Sequence, residues 1–190
     1  MNSWIVLAIL LGVGFAPVGN APQPANAQSV PTPGESGMLQ FQQIVKALTG
    51  RWSYVQTRVP PAAAQNTSRG VESWQPTTGG LTFTEDNVTR STAGDLHDSA
   101  VLWWDGKARK IRGLWCADIN DEGANGFDAR LDGTDIVMEG EWEFEGKRTA
   151  WKEVFTMKGP DTFTQSLYFG SPGGALKLGS TIEATRLPKL

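Results

Sequence analysis

Cysteine and histidine each occur once in the 190 residues, and each scarcity excludes chemistry. The single thiol, Cys116, has no partner for an intramolecular disulfide, so stability must come from packing. One His, no Cys pair and no zinc-ligand spacing leave no ready metal site. Basic charge is also short. The 17 Lys and Arg residues face 20 Asp and Glu, giving a net charge of -3, and the cations are interspersed among acids instead of forming a stripe for nucleic acid. No glycine-rich phosphate loop joins a strand to a helix, and no repeat of solenoid period is present. The one long apolar run, from Trp4 to Phe15, is too short to cross a bilayer comfortably.

That run is followed by Pro17 and by small residues ending in Ala25-Asn26-Ala27, the pattern of a secretory signal peptide with an A-x-A cleavage site. Met1-Asn2-Ser3 contains no Lys or Arg, so an uncleaved membrane anchor is the alternative, and cleavage falls after Ala27 or after Ala21. Either route places the remaining chain outside the cytoplasm, secreted or periplasmic. Residues 1–27 are expected to be the leader. Residues 28–36, with Pro31, Pro33 and Gly34, are expected to be a linker, and residues 37–190 one domain. With 39% hydrophobic and 19% charged residues, that domain has enough apolar material for a sizeable core.

From Ser36 onward Met38, Phe41, Ile44, Val45 and Leu48 recur at spacings of three and four, one stripe of a helix, and Gly50 follows as a stop. The rest alternates in strands. Asp132-Gly133 and Glu145-Gly146 read as two-residue hairpin turns. Counting outward from the first puts Ala129 opposite Ile136, Phe127 opposite Met138 and Arg130 opposite Asp135. The second puts Gly140 opposite Trp151 and Ile136 opposite Phe155 on one face, with Glu143 facing Arg148 and Glu139 facing Lys152 on the other. A one-residue slip would bury Glu139, Glu141 and Glu143 and expose Trp142. Burying about 200 Å² of Trp is worth roughly 5 kcal/mol gross, which disfavours the slip. Further strands are expected over 51–59, 70–75, 81–84, 99–104, 110–119, 162–169 and 180–186, with the polar stretches 60–69 and 85–98 as loops. The fold class is all-β: a closed antiparallel up-and-down barrel of roughly eight to ten strands, capped at one end by the short N-terminal helix.

Gly50-x-Trp52 on the first strand and Arg186 on the last resemble the signature of lipocalins and other calycin barrels. The segment Trp103-Trp104-Asp105 through Trp115 resembles a bacterial family of unknown function with a calycin-type barrel, similar in fold to nitrobindin. The resemblance implies that Trp52 and Arg186 seal the barrel base through a cation–π contact. It also raises haem as a cofactor. The usual late His is missing here, which leaves His97, Met157, Tyr168 or Cys116 as substitute ligands.

The leading expectation is a non-catalytic barrel for a small apolar or amphipathic molecule, without a cofactor. Its walls would be Trp103, Trp115, Phe127, Met138, Trp142, Trp151, Phe155, Phe163 and Leu167, with Glu153, Gln165 and Arg58 as polar fixtures. Glu153 stands out because its register places a carboxylate on an apolar inner face, opposite Met138 and diagonal to Gln165. An isomerase or hydrolase using Glu153 as base, with Tyr54 or Arg58 as partner, is the enzymatic alternative. A solid-core structural module is a third reading, since about eight strands enclose an interior that side chains alone fill. Asp95-Leu96-His97-Asp98-Ser99 contains the letters of a hydrolase triad, but adjacent residues do not converge as triads do. Asp118-x-Asn120-x-Glu122-Gly123 starts like a calcium loop yet lacks its terminal Glu, and reads as a turn. Cys116 reads as a small buried hydrophobe.

Overall fold

The computed structural model describes residues 33–59, 67–77, 79–92, 94–118, 123–144 and 146–189. The leader and its cleavage site lie outside the described residues. One helix, α1 (Pro33–Leu48), precedes ten strands: β1 (Gly50–Arg58), β2 (Thr67–Pro76), β3 (Thr82–Ser91), β4 (Gly94–Asp105), β5 (Lys110–Ala117), β6 (Asn125–Asp132), β7 (Asp135–Phe144), β8 (Lys147–Gly159), β9 (Thr162–Gly170) and β10 (Lys177–Arg186). Each strand pairs antiparallel with its sequence neighbours, and β1 pairs with β10 to close the barrel. Among the described residues no helix is long and apolar enough to cross a membrane.

The helix begins earlier than its apolar stripe. Pro33 to Glu35, expected in the linker, form its first turn, where a proline's missing N–H costs nothing. Phe41, Ile44 and Leu48 are buried on the barrel floor, with Met38 and Val45 packed beside them. Trp52 is fully buried there, and its Nε1 donates to the Leu48 carbonyl at 2.8 Å. The Arg186 guanidinium carbon lies 3.9 Å from the Trp52 ring centroid. The same group donates to the Thr49 carbonyl and, from Nη2 at 3.1 Å, to that of Ala47. Arg186 therefore satisfies orphan carbonyls at the helix end and stacks on the floor in one conformation.

The hairpin between β7 and β8 has the expected register, with Gly140 opposite Trp151, Ile136 opposite Phe155 and Glu143 opposite Arg148. A β-carbon on Gly140 would meet the Trp151 ring at 3.2 Å and the Gly126 carbonyl at 2.8 Å, so the indole and the neighbouring strand occupy that room. The β6–β7 hairpin is shifted by two residues from expectation. Asp132 pairs with Asp135, Ala129 with Met138 and Phe127 with Gly140. The turn residues are Gly133 and Thr134, with Gly133 at φ 64°, so glycine fills the first central position, the one a type II′ turn reserves for it. Because the shift is even, Phe127, Ala129, Ile136 and Met138 still face inward and are buried. Charged pairs decorate the outside, among them Lys110 with Asp128 at 2.6 Å and Arg130 with Glu139 at 2.5 Å. That is the reverse of the apolar-out pattern of a membrane-spanning barrel.

The largest departure concerns residues 85–98. The expected loop is a long hairpin in which β3 continues to Ser91 and β4 starts at Gly94. Its inward residues include Glu85, Asn87, Thr89 and Asp98, so polar groups occupy both faces and hydropathy alone does not reveal the strands.

Candidate functional site

Ten strands enclose more room than the eight that side chains alone fill. The floor is solid. Trp52 meets Phe163 edge-on at 4.8 Å between ring centroids, Phe163 meets Phe155 at 5.6 Å, and Trp74 stacks on Phe83 at 5.2 Å. Above that layer lies a cavity of about 210 Å³, which excludes a uniformly solid core. For scale, an apolar cavity of about 150 Å³ holds a benzene.

One wall is aromatic. Trp142 is its hub, with ring centroids 5.7 Å from Trp115, 6.5 Å from Trp151 and 5.5 Å from Phe169. Phe127 abuts Trp151, while Met138, Phe155 and Leu167 complete the surface. The opposite wall, from β1 to β4, is polar. The Tyr54 hydroxyl donates to Asn87 Oδ1 at 2.9 Å and pairs with the Thr89 hydroxyl. Asn87 Nδ2 donates to Asp98 at 3.0 Å, and Trp115 Nε1 donates to the other Asp98 oxygen at 3.2 Å. Such a chain fixes each group in one orientation. A second set links the Ser68 hydroxyl to Gln56 Oε1 and Gln56 Nε2 to Ser180, both at 3.0 Å.

Four carboxylic acids line the cavity, Glu72, Glu85, Asp98 and Glu153, and no Lys, Arg or His lines it among the described residues. Burial penalises their charged forms, and the neighbouring acids add to that penalty. Glu72, only 4% exposed, is pushed up to about 8 by burial. Glu153 and Asp98 raise it further, and the nearby Trp74 indole acts in the opposite sense. Glu153 rises to about 7 through burial and the Asp98 charge, against the Gln165 amide. Asp98 rises to about 6 by burial, held down by Trp115 and Asn87, and burial likewise holds Glu85 well above the usual range. Tyr54 is raised to about 12, chiefly by burial. Burial and mutual repulsion thus favour the protonated forms of these acids. Several buried polar atoms have no hydrogen-bond partner: Glu72 Oε1, Gln165 Oε1 and the Nε1 atoms of Trp74 and Trp151.

Of the residues expected to form the site, Trp115, Phe127, Met138, Trp142, Trp151, Glu153, Phe155, Gln165 and Leu167 line the cavity. Phe163 lies in the floor below it. Two others also do not line it. Trp103 faces outward beside Arg112 and Leu114, because only one of two consecutive Trp residues can face in, and Trp104 does, packed under Gly37 of α1. Arg58 ends β1 exposed, where its guanidinium keeps its hydration. Sequence reasoning missed Glu72, Glu85, Asn87 and Asp98. The available signal was parity, since Glu85 and Asn87 continue the alternation of buried Phe83, and Asp98 that of Ala100 and Leu102.

The haem reading does not fit these residues. None of His97, Met157, Tyr168 and Cys116 lines the cavity. His97 and Cys116 are exposed, and Tyr168 is paired with Lys152 on the outer face. Cys116 is thus not a buried hydrophobe, because inward Trp115 beside it fixes the opposite face for the thiol. Among the described residues no group of His, Cys, Asp and Glu side chains is arranged to hold a metal ion.

No family model matches the chain, and no curated protein matches it. Solved structures do. Rv2717c from M. tuberculosis is similar at 14% identity with a TM-score of 0.55, over 78% of this chain and 98% of that one. The S-type phycobiliprotein lyase CPES from Guillardia theta is similar at 12% identity with a TM-score of 0.51, over 81% of this chain and 96% of that one. At such identities the likeness is one of fold, and function must be argued from the site. Closure through β1 and β10, the helix before β1 and the Trp52–Arg186 floor define the fold of this chain, a closed ten-strand antiparallel barrel similar to those structures.

Proposed function

We propose that this barrel binds a small amphipathic molecule and does not transform it. The observation that carries the reading is the cavity of about 210 Å³ with one aromatic and one hydrogen-bonding wall. Its size suits one or two fused rings, and its division suits a ligand with one apolar and one polar end. Most of the polar wall is tied into internal hydrogen bonds, the arrangement of a preformed binding surface. No nucleophile is arranged beside the acids, so catalysis has less support than binding. The apolar run from Trp4 to Phe15, followed by small residues ending at Ala27, supports a further proposal, that the domain works outside the cytoplasm after removal of a leader.

Native mass spectrometry of protein isolated without denaturation tests the binding reading. The expected spectrum contains a small-molecule adduct, and Ala100→Phe, which adds a ring to the cavity wall, abolishes it. Failure of the native protein to retain any solute or to take up any bicyclic aromatic would refute the reading. The mass of the protein recovered from the extracytoplasmic fraction tests export, with a start at Gln28 or Pro22 expected and a start at Met1 contradicting it.

A further inference from the structure

The cavity's charge balance specifies its ligand further. Its lining carries four acids and no cation among the described residues, although an apolar interior disfavours even one unpaired carboxylate. An acidic cluster alone does not define a site. Here, however, two buried acceptors on residues that line the same space lack a hydrogen-bond partner: Oε1 of Glu72, a residue 4% exposed with the Trp74 indole nearby, and Oε1 of Gln165, a residue 6% exposed. Glu72 on β2, Gln165 on β9 and Glu153 on β8 line the same cavity, as do the indoles of Trp142 and Trp151, which provide π faces. Carboxylates and indole faces both attract cations.

We infer that the cavity takes an amphipathic cation, a primary ammonium or amidinium on a flat apolar body, whose N–H groups fill the vacant acceptors of Glu72 and Gln165 and whose body lies against Trp142 and Trp151. The inference rests on the small-molecule-binding reading and deepens it. Binding of such a cation favours the ionised acids, so each ligand bound displaces protons from the cluster. Affinity for the cation therefore rises with pH through the range in which Glu153, Asp98 and Glu72 ionise, with Glu85 and Tyr54 as the other titratable groups facing that space. A neutral ligand of the same shape shows no such rise.

Calorimetric titration of the whole protein with naphthylmethylammonium, naphthylmethanol and naphthylacetate tests this. At about pH 8 the ammonium is expected to bind at least about tenfold more tightly than the alcohol, with the carboxylate weakest. The preference should shrink toward pH of about 5.5, and Glu72→Gln and Glu153→Gln should each reduce the ratio of ammonium to alcohol affinity several-fold. Equal or tighter binding of the alcohol, without pH dependence, overturns the cation inference and leaves the binding reading standing. So does a co-purified solute that is neutral or anionic. If no probe binds and no solute co-purifies, both readings fall.

Discussion

Replacing Glu72 with Gln should stabilise this protein at alkaline pH, the reverse of the usual outcome for a buried polar residue. In the unfolded chain the carboxyl ionises near 4.5, whereas in the fold burial and neighbouring acids push it up to about 8. The folded state therefore holds a proton that the unfolded state has released, and unfolding becomes more favourable as pH rises between those values. At about 1.4 kcal/mol per pH unit, the ionised side chain costs on the order of 5 kcal/mol above the upper value. This is an upper figure, because the adjacent acids adjust their own protonation. At about pH 5 the same linkage contributes less than about 1 kcal/mol. Glu72→Gln keeps the shape and removes the charge. Thermal unfolding followed by tryptophan fluorescence should show nearly equal Tm values for both proteins at about pH 5, and a variant Tm higher by up to about 10–20 °C at about pH 8.5. An equal loss of Tm at both pH values would mean that Glu72 is an ionised, paired group in the fold, and would refute the reasoning.

Three other perturbations read different parts of the fold. Arg186→Met removes the stacking on Trp52 and the donors to Thr49 and Ala47, so chemical denaturation should show a loss of about 2–4 kcal/mol with dye binding retained in the folded fraction. Gly113→Ala places a methyl group against the Phe127 ring, far inside van der Waals contact. The ring must shift into the cavity, so the variant should lose about 1–3 kcal/mol of stability and most of its affinity for bicyclic probes, measured by denaturant melts and calorimetry. Cys116 is exposed and free, so a thiol reagent should label one equivalent in the native protein as fully as in the denatured one. Protection from the reagent would place the strand in the opposite register.

The second half of the barrel was the more legible from sequence. There the inner face is apolar and the outer face charged, so Trp151 against Gly140 and Glu139 against Lys152 define a register that a one-residue slip would ruin. Turn chemistry was less decisive, since Asp132-Gly133 could provide either its Asp or its Gly at the first central position, and the two choices differ by two residues of register. Between Glu85 and Asp98 that contrast disappears. Glu85, Asn87 and Thr89 face the cavity while Asp86 and Arg90 face solvent, so both faces read as polar and the hairpin reads as a loop. The acids of the site were therefore hidden by the property that makes them useful, a polar inner wall. Cys116 and Trp103 were misplaced for a simpler reason: Cys116 neighbours Trp115, already assigned inward, Trp103 was placed inward in preference to Trp104, and alternation sends both out.

The most direct test of the whole account is a crystal structure of the protein soaked with naphthylmethylammonium. The expected map shows a closed ten-strand barrel with density for the bicyclic ring against Trp142 and Trp151, its nitrogen end toward Glu72 and Gln165. An interior closed by its own side chains, or those two indoles turned outward to bulk water, would contradict it.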